Sequence, residues 1–403
     1  DLLCFISTNI ISPTSHKFYE IVQLDEILVG TGPWIMKSHA PRREIRYERN
    51  GRWWGKAQYF DQIIMKFVDD DTARMNAGLA GQYDYVSGVL KTYIAQFQST
   101  SGMHVEDIGE GFGYYYFEIY CGPRDYDGSW FTGHEYDHQY QRNNATFRRA
   151  LSYAMNYTYI IEEIQQGQAY YGVPAVPRDF PGHNASVYFG YNESSYKDQI
   201  EKARALIKIC YPSVALPVTM DGGSNDAAWK ALSLITLEMN EHSGGGLSTD
   251  LSLIAEASFD LIGVEVAVTV REWGEYLDVG ELTPWEMDCG FVGWGPDYLN
   301  PYNMIDPLYN LASGSCFSRI NDTSPGGLTE QLAAAVAETD YATQLILWEN
   351  LQSYLYDVRF EHPGSCCHIP AYVYFVQQVH KDTLKGVQYN LLGDFNWANW
   401  YEE

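Results

Sequence analysis

Cationic side chains are scarce in this chain. It carries 26 Lys and Arg against 52 Asp and Glu, a formal charge of -26 over 403 residues. A field of that sign repels phosphate backbones and anionic membrane surfaces, so nucleic acid is excluded as a partner. It favours solubility, reads first as a solvated acidic surface, and is compatible with a salty habitat. No run of about 20 apolar residues exists, so nothing reads as a membrane-spanning helix. No basic-then-apolar leader precedes Asp1. Leu2-Leu3-Cys4 has the look of a lipoprotein cleavage site without the apolar stretch before it, so Cys4 reads as an ordinary cysteine. The first residue is Asp rather than Met, and a missing start is expected. There is no Gly-x-Ser-x-Gly elbow and no Gly-x-x-x-x-Gly-Lys-Ser/Thr loop, the residues that those hydrolases and nucleotide-binding proteins need. Cysteines number 7, an odd count that leaves at least one thiol outside any internal disulfide. Cys366 and Cys367 are adjacent, and no spacing fits a zinc ribbon.

What is present is ample core material: 46% hydrophobic and 15% aromatic residues. A chain of this length exceeds what one core usually organises, so two lobes are expected. Residues 45–48 and 63–68 alternate as strands do, and 83–86 reads as a short strand. Asp71 is placed to cap a helix over 72–80 that Gly81 would end. The aromatic run 112–120 reads as a strand buried on both faces. Residues 125–144 are polar and read as a loop. Helical spacing predicts helices over 146–166, 196–210, 227–241 and 251–262, and one or two more within 333–357. Strands are expected at 216–220, 264–270, 291–294 and 369–379, and irregular chain over 170–192, which holds three prolines. The alternation gives an α/β class with mixed sheets. Five Asn-x-Ser/Thr sequons, at Asn144, Asn156, Asn184, Asn192 and Asn321, fit an external protein, although the pattern is common by chance.

Six motifs in order carry a family resemblance. They are Gly30-Thr31-Gly32-Pro33-Trp34; Arg49-Asn50-Gly51-Arg52-Trp53-Trp54-Gly55; Gly81-Gln82-Tyr83-Asp84; Phe147-Arg148-Arg149-Ala150-Leu151-Ser152-Tyr153-Ala154-Met155; Gly293-Trp294-Gly295-Pro296-Asp297-Tyr298-Leu299-Asn300-Pro301; and Ile369-Pro370-Ala371-Tyr372. Tyr191-Asn192 and Lys202-Ala203-Arg204-Ala205-Leu206 fit the same series. Together they resemble the peptide/nickel-type extracellular solute-binding proteins, bacterial family 5, which include dipeptide- and oligopeptide-binding proteins. The resemblance implies a periplasmic-binding-protein-like, type II (Venus flytrap) fold. A first lobe would be built from 1–120 and 369–403, and a second from 121–368, with crossovers near 116–121 and 367–372. The first lobe is expected to be incomplete, because family members carry well over a hundred further residues before the first motif. The implied function is the extracellular or periplasmic binding component of an ABC-type importer, a monomer that works with membrane permease subunits, needs no cofactor and is not an enzyme. Any membrane anchor would lie in a segment not present here.

The resemblance places the ligand at the loop 293–300. Asp297 stands where relatives receive a peptide's ammonium group, and a charge-assisted bond in a dry cleft is a strong one. Trp294 offers an apolar wall, the backbone of Gly293 and Gly295 can pair with a ligand main chain, and Tyr298 and Tyr372 complete the candidate set. Tyr114, Tyr115, Tyr116 and Tyr374 lie near the expected crossovers. The plainer alternatives are a turn aspartate and a core tryptophan. A basic residue that precedes this motif in some oligopeptide binders is absent, Phe291 occupying that area. With 33 Tyr and 11 Trp, an oligosaccharide ligand stays open, as does a nickel-type one. One enzyme motif competes: His134-Glu135-Tyr136-Asp137-His138 matches the zinc-protease pattern, but its polar, Gly-flanked setting has no apolar helical face. A glycosidase pair cannot be chosen among so many acids.

Overall fold

A computed structural model describes residues 31–122, 144–171, 175–243, 246–283, 286–388 and 397–403. The chain divides into two compact units, one of Asp1–Gly109 with Val376–Glu403, the other of Glu110–Phe375.

The smaller unit starts with an antiparallel sheet of β1 (Trp34–Ala40), β2 (Glu44–Arg49) and β3 (Gln62–Lys66) in that order. Then come α1 (Asp71–Leu79), β4 (Tyr85–Val86), α2 (Ile94–Ser99) and the first residues of β5 (Met103–Ile119). Asp70 rather than Asp71 caps α1, its carboxylate accepting from the Ala73 amide at 2.6 Å. The sequence offers three consecutive aspartates and the helix starts one residue earlier than its spacing predicts. Gly81 follows at φ +68, the left-handed turn expected after a helix. Met75, Val86, Ile94, Phe97, Met103 and Val379 form this unit's core.

The larger unit holds the rest of β5, then α3 (Ala145–Ala154), α4 (Tyr157–Tyr159), β6 (Ala169–Tyr171), α5 (Tyr196–Cys210), α6 (Ser224–Lys230), β7 (Ile235–His242), α7 (Gly246–Asp260), β8 (Val264–Arg271), α8 (Trp273–Leu282), β9 (Cys289–Trp294), α9 (Pro301–Tyr309), α10 (Leu328–Ala337), α11 (Tyr341–Tyr356) and most of β10 (His368–Lys381). Two short strands, β11 (Leu384–Lys385) and β12 (Tyr401–Glu402), pair in the smaller unit.

Strand order in the larger unit is β6-β10-β5-β9-β7-β8. β7 runs parallel to both β8 and β9, while β5 and β9 are antiparallel, as are β6 and β10. β7, α7 and β8 make a crossover unit, which parallel neighbours require. Three expectations fail here. The helix predicted over 227–241 is α6 followed by β7: Ser233 at φ +43 turns the chain, and Leu237 and Met239 enter the core with a period of two. The helix over 146–166 breaks at Met155, Asn156 caps a new turn through the Tyr159 amide, and Ile160–Ile164 is wound as a π-turn. No strand forms over 216–220, where the chain instead supplies carbonyls: the guanidinium of buried Arg204 donates to Thr219 O at 2.8 Å and lies 2.8 Å from Asp226.

Alternation along β10 slips by one residue. His368 meets Glu118 at 3.1 Å and stacks on Tyr116, whereas Tyr372 stacks on Tyr115. Pro370 lies between, and a proline, which cannot donate to the ladder, marks such irregularities. Glu118 and His368 are fully buried, with the imidazole between Tyr116 and Tyr309. Asn144, Asn156, Asn184 and Asn192 all serve local structure. Asn144 and Asn156 cap helices, Asn184 donates to Glu349 O and Ser353 Oγ, and Asn192 accepts from the Phe189 amide. No helix among the described residues is long and apolar enough to cross a membrane.

Candidate functional site

β9 ends at Trp294, and the loop 295–300 leads into α9, which has Pro301 in its first turn and Asn300 as its cap through the Tyr302 amide at 2.9 Å. Ligand sites in α/β sheets favour such strand ends. The residue that builds this loop is Asn303, in the first turn of α9 and almost fully buried. Its Oδ1 accepts from the Asp297 amide at 2.6 Å, its Nδ2 donates to Asp297 Oδ2 at 3.2 Å, and its carbonyl accepts from Trp294 Nε1 at 2.8 Å. One side chain and its own carbonyl thus hold both the acid and the indole. Sequence reading missed Asn303; the signal was an Asn at the third position of a helix beginning Asn-Pro, where side-chain amides turn back on the preceding loop.

Asp297 is exposed, Trp294 is half-buried, and Pro296 between them in the chain is buried. Tyr298 is half-buried, and burial followed by the nearby Asp297 and Asp306 charges raises its phenol above the ordinary value. Gly293 and Gly295 differ in kind. A Cβ at Gly293 would come within 3.1 Å of the Tyr115 ring, so packing explains that glycine. At Gly295 a Cβ would meet nothing within 4 Å, and the backbone there is open.

The register separates two groups of candidates. Tyr114 pairs with Trp294 and Tyr115 with Gly293, so Trp294 shares a sheet face with Tyr114 and Tyr116. Tyr372 lies parallel to Tyr115 with centroids 5.1 Å apart, on the other face. Tyr372 is fully buried and its hydroxyl has no hydrogen-bond partner among the described residues; burial drives its phenol well above the ordinary value. The structure therefore brings Trp294, Asp297 and Tyr298 together, and sets Tyr372 behind them as the support under Tyr115. Tyr114 and Tyr116 are core, stacked at 5.0 Å, while Tyr374 is half-buried. The zinc-protease motif His134-Glu135-x-x-His138 lies outside the described residues. Among the described residues no group of three or more His, Cys, Asp or Glu is placed to hold a metal ion.

The model of the bacterial extracellular solute-binding proteins, family 5 Middle, matches residues 6–315. The oligopeptide-binding protein OppA of Bacillus subtilis is 23% identical over 383 residues, which cover 93% of this chain and 61% of that protein. In structure, the chain is similar to the ABC transporter-associated periplasmic binding protein DppA of Helicobacter pylori in complex with the peptide STSA (TM-score 0.71, 20% identity, 93% of this chain and 63% of that one). It is also similar to NikA of Brucella suis in complex with Fe(III)-EDTA (TM-score 0.72, 14% identity, 98% and 72%). These likenesses show an α/β fold of the two-lobed type II binding-protein class. The chain spans about three-fifths of the length of the OppA and DppA relatives.

Proposed function

Since the chain belongs to the bacterial extracellular solute-binding proteins of family 5, we propose that it is the extracellular or periplasmic binding component of an ABC-type importer and that it takes peptides. The observation that carries this reading is the exposed Asp297 carboxylate, oriented by buried Asn303 beside an indole tethered to the same residue. An anion fixed in this way suits an ammonium group, and an apolar wall next to it suits the first side chain of a peptide. The open backbone at Gly295 lets a ligand main chain approach, which favours binding many sequences over one. Gly293, Trp294, Gly295, Asp297 and Tyr298 form the site, with Tyr372 acting through Tyr115. In this reading the two lobes are residues 1–120 with 369–403 and residues 121–368. They close on the ligand, a membrane permease receives it, and the protein itself works as a monomer without catalysis.

The test is calorimetric titration of the chain with a free-amine peptide and its N-acetylated form. Asp297→Ala is expected to weaken the free-amine peptide about tenfold or more, an ionic hydrogen bond being worth roughly 1.5–3 kcal/mol, and to leave the acetylated peptide unchanged. Equal Kd values for the variant and the wild type would sink the assignment. NikA is described with a metal chelate, so the same titration with nickel–histidine and with an oligosaccharide separates the competing ligand classes.

A further inference from the structure

β8 ends the sheet order of the larger unit, and among the described residues it pairs with β7 alone. Its sequence is Val-Glu-Val-Ala-Val-Thr-Val-Arg, with no Lys, Pro or Gly and no positive φ. Edge strands are usually blunted by such residues or by a bulge, because a free row of amides and carbonyls invites a further strand. This edge has none of them, and it is apolar where it is open: Val268 and Val270 are 40% and 59% accessible.

The bonds to β7 show which main-chain groups face outwards. The Arg271 carbonyl accepts from the Ser243 amide at 2.6 Å and the Gly263 carbonyl from the Leu234 amide at 2.8 Å, both on the β7 side. Alternate residues of a strand point these groups the same way, so Val264, Val266, Val268 and Val270 direct theirs to the open side. An antiparallel partner must therefore meet the valines as hydrogen-bonded pairs and the residues between them as the closer, non-hydrogen-bonded pairs. The strand is self-complementary in one such register. With Val268 opposite its counterpart in a second copy, Val266 meets Val270, Ala267 meets Thr269, and Glu265 meets Arg271 at both ends. Moving the centre by one residue sets Glu265 against Thr269 or Trp273 instead. Glu265 accepts from Ser233 and Thr236, and Arg271 donates to Asn240 at 3.2 Å and to Glu275 at 2.6 Å. Those bonds hold both side chains at the edge and leave lone pairs and guanidinium N–H groups to spare.

We propose that β8 is a self-pairing edge, through which two copies of this chain join in a two-fold antiparallel ladder centred on Val268. About six main-chain hydrogen bonds link residues 266–270 of the two copies, and the two Glu265–Arg271 pairs fix the register. The edge carries one acid and one base, so it is neutral although each chain carries -26. At about 0.15 M salt, charges more than about 8 Å apart are largely screened, which contains the general repulsion. One strand pair buries less than the roughly 1,200 Å² of a stable interface, so the dimer is weak and reversible, with a Kd on the order of 100 µM. The single chain stays the ligand-binding unit, because the loop that carries Asp297 follows β9, and β7 stands between β9 and β8. The inference goes beyond the peptide reading and does not depend on it.

The test is analytical sedimentation of the full chain from about 10 µM to about 1 mM in about 0.15 M salt. The average mass is expected to rise from one chain towards two. Val268→Lys sets two ammonium groups face to face at the axis and should abolish the rise. Glu265→Arg should weaken association about tenfold, and adding Arg271→Glu should restore it, because the exchange recreates both pairs. Val268→Cys reports the register: a hydrogen-bonded antiparallel pair puts its Cα atoms about 5.5 Å apart, within disulfide range. Oxidised glutathione should link that variant into a covalent dimer and leave the wild type and Ala267→Cys as single chains. Thermal unfolding shows that each variant is folded. A wild type that stays monomeric at the highest concentration overturns the proposal, and so does a dimer that Val268→Lys leaves intact, since it uses another surface. Slow amide exchange at Val266, Val268 and Val270 in the dilute wild type overturns it too, because a segment of the same chain then covers the edge. Peptide titration of Val268→Lys should match the wild type, so the edge and the ligand site stand or fall separately.

Discussion

Replacing Asn303 with alanine tests whether one buried amide organises the site. The variant loses the side-chain hydrogen bonds to the Asp297 amide at 2.6 Å and to the Asp297 carboxylate at 3.2 Å, together with one to Tyr298, but keeps the carbonyl that holds Trp294. The neutral bond is worth about 1 kcal/mol and the charge-assisted one roughly 1.5–3 kcal/mol in a protected setting. Asp297 is exposed, so water replaces much of both. The expected loss of fold stability is therefore only about 1 kcal/mol, read as a shift of the urea midpoint at constant slope. Binding should suffer more selectively. An unheld aspartate must be ordered by the ligand, at about 0.5–1.5 kcal/mol for a side chain, which is up to about tenfold in Kd. The loss should appear with a free-amine peptide and vanish with its acetylated form, since only the former uses the carboxylate. A variant that binds the free-amine peptide as the wild type does would refute the idea that Asn303 preorganises Asp297. So would one that weakens both peptides equally.

Three further outcomes concern the framework. Asp226→Ala leaves the fully buried Arg204 guanidinium without its carboxylate at 2.8 Å and should cost about 3–5 kcal/mol in urea unfolding. Met239→Ala opens a void in the middle of β7 and should cost about 2–5 kcal/mol by the same measure. Burial lowers the Lys91 amine to about 8 against Asp107, which acts to raise it. Its folded value lies below the unfolded one, so the unfolded chain holds the extra proton between about pH 8 and 10.5 and stability rises with pH across that window. Urea midpoints at pH 7.5 and 9.5 should show that rise in the wild type and less of it in Lys91→Met.

Local periodicity made much of this chain readable. α5 spans the residues its spacing predicts, and β2, β3, β8 and β9 fall within a residue or two of expectation. β7 was misread because Leu-Ser-Leu-Ile-Thr-Leu-Glu-Met satisfies helix and strand patterns alike; a parallel strand between two partners is decided by pairing, which is not local. α8 and α9 escaped notice because Trp273-Gly274 and the internal Pro307 are poor helix signals, and packing overrides them. At the site, Trp294 and Asp297 were visible through a motif, whereas Asn303 was not. Asn303 acts through bonds that exist only once α9 has formed.

The discontinuity of the smaller unit bears on how the chain leaves the ribosome. Its last piece, Val376–Glu403, emerges after the whole of Glu110–Phe375 has been made. The uninterrupted unit can thus acquire its core during synthesis, while Val379 must arrive before Met75, Phe97 and Met103 have their last partner. A nascent chain stalled before residue 376 should therefore protect the larger unit from protease and leave the smaller one open to cleavage.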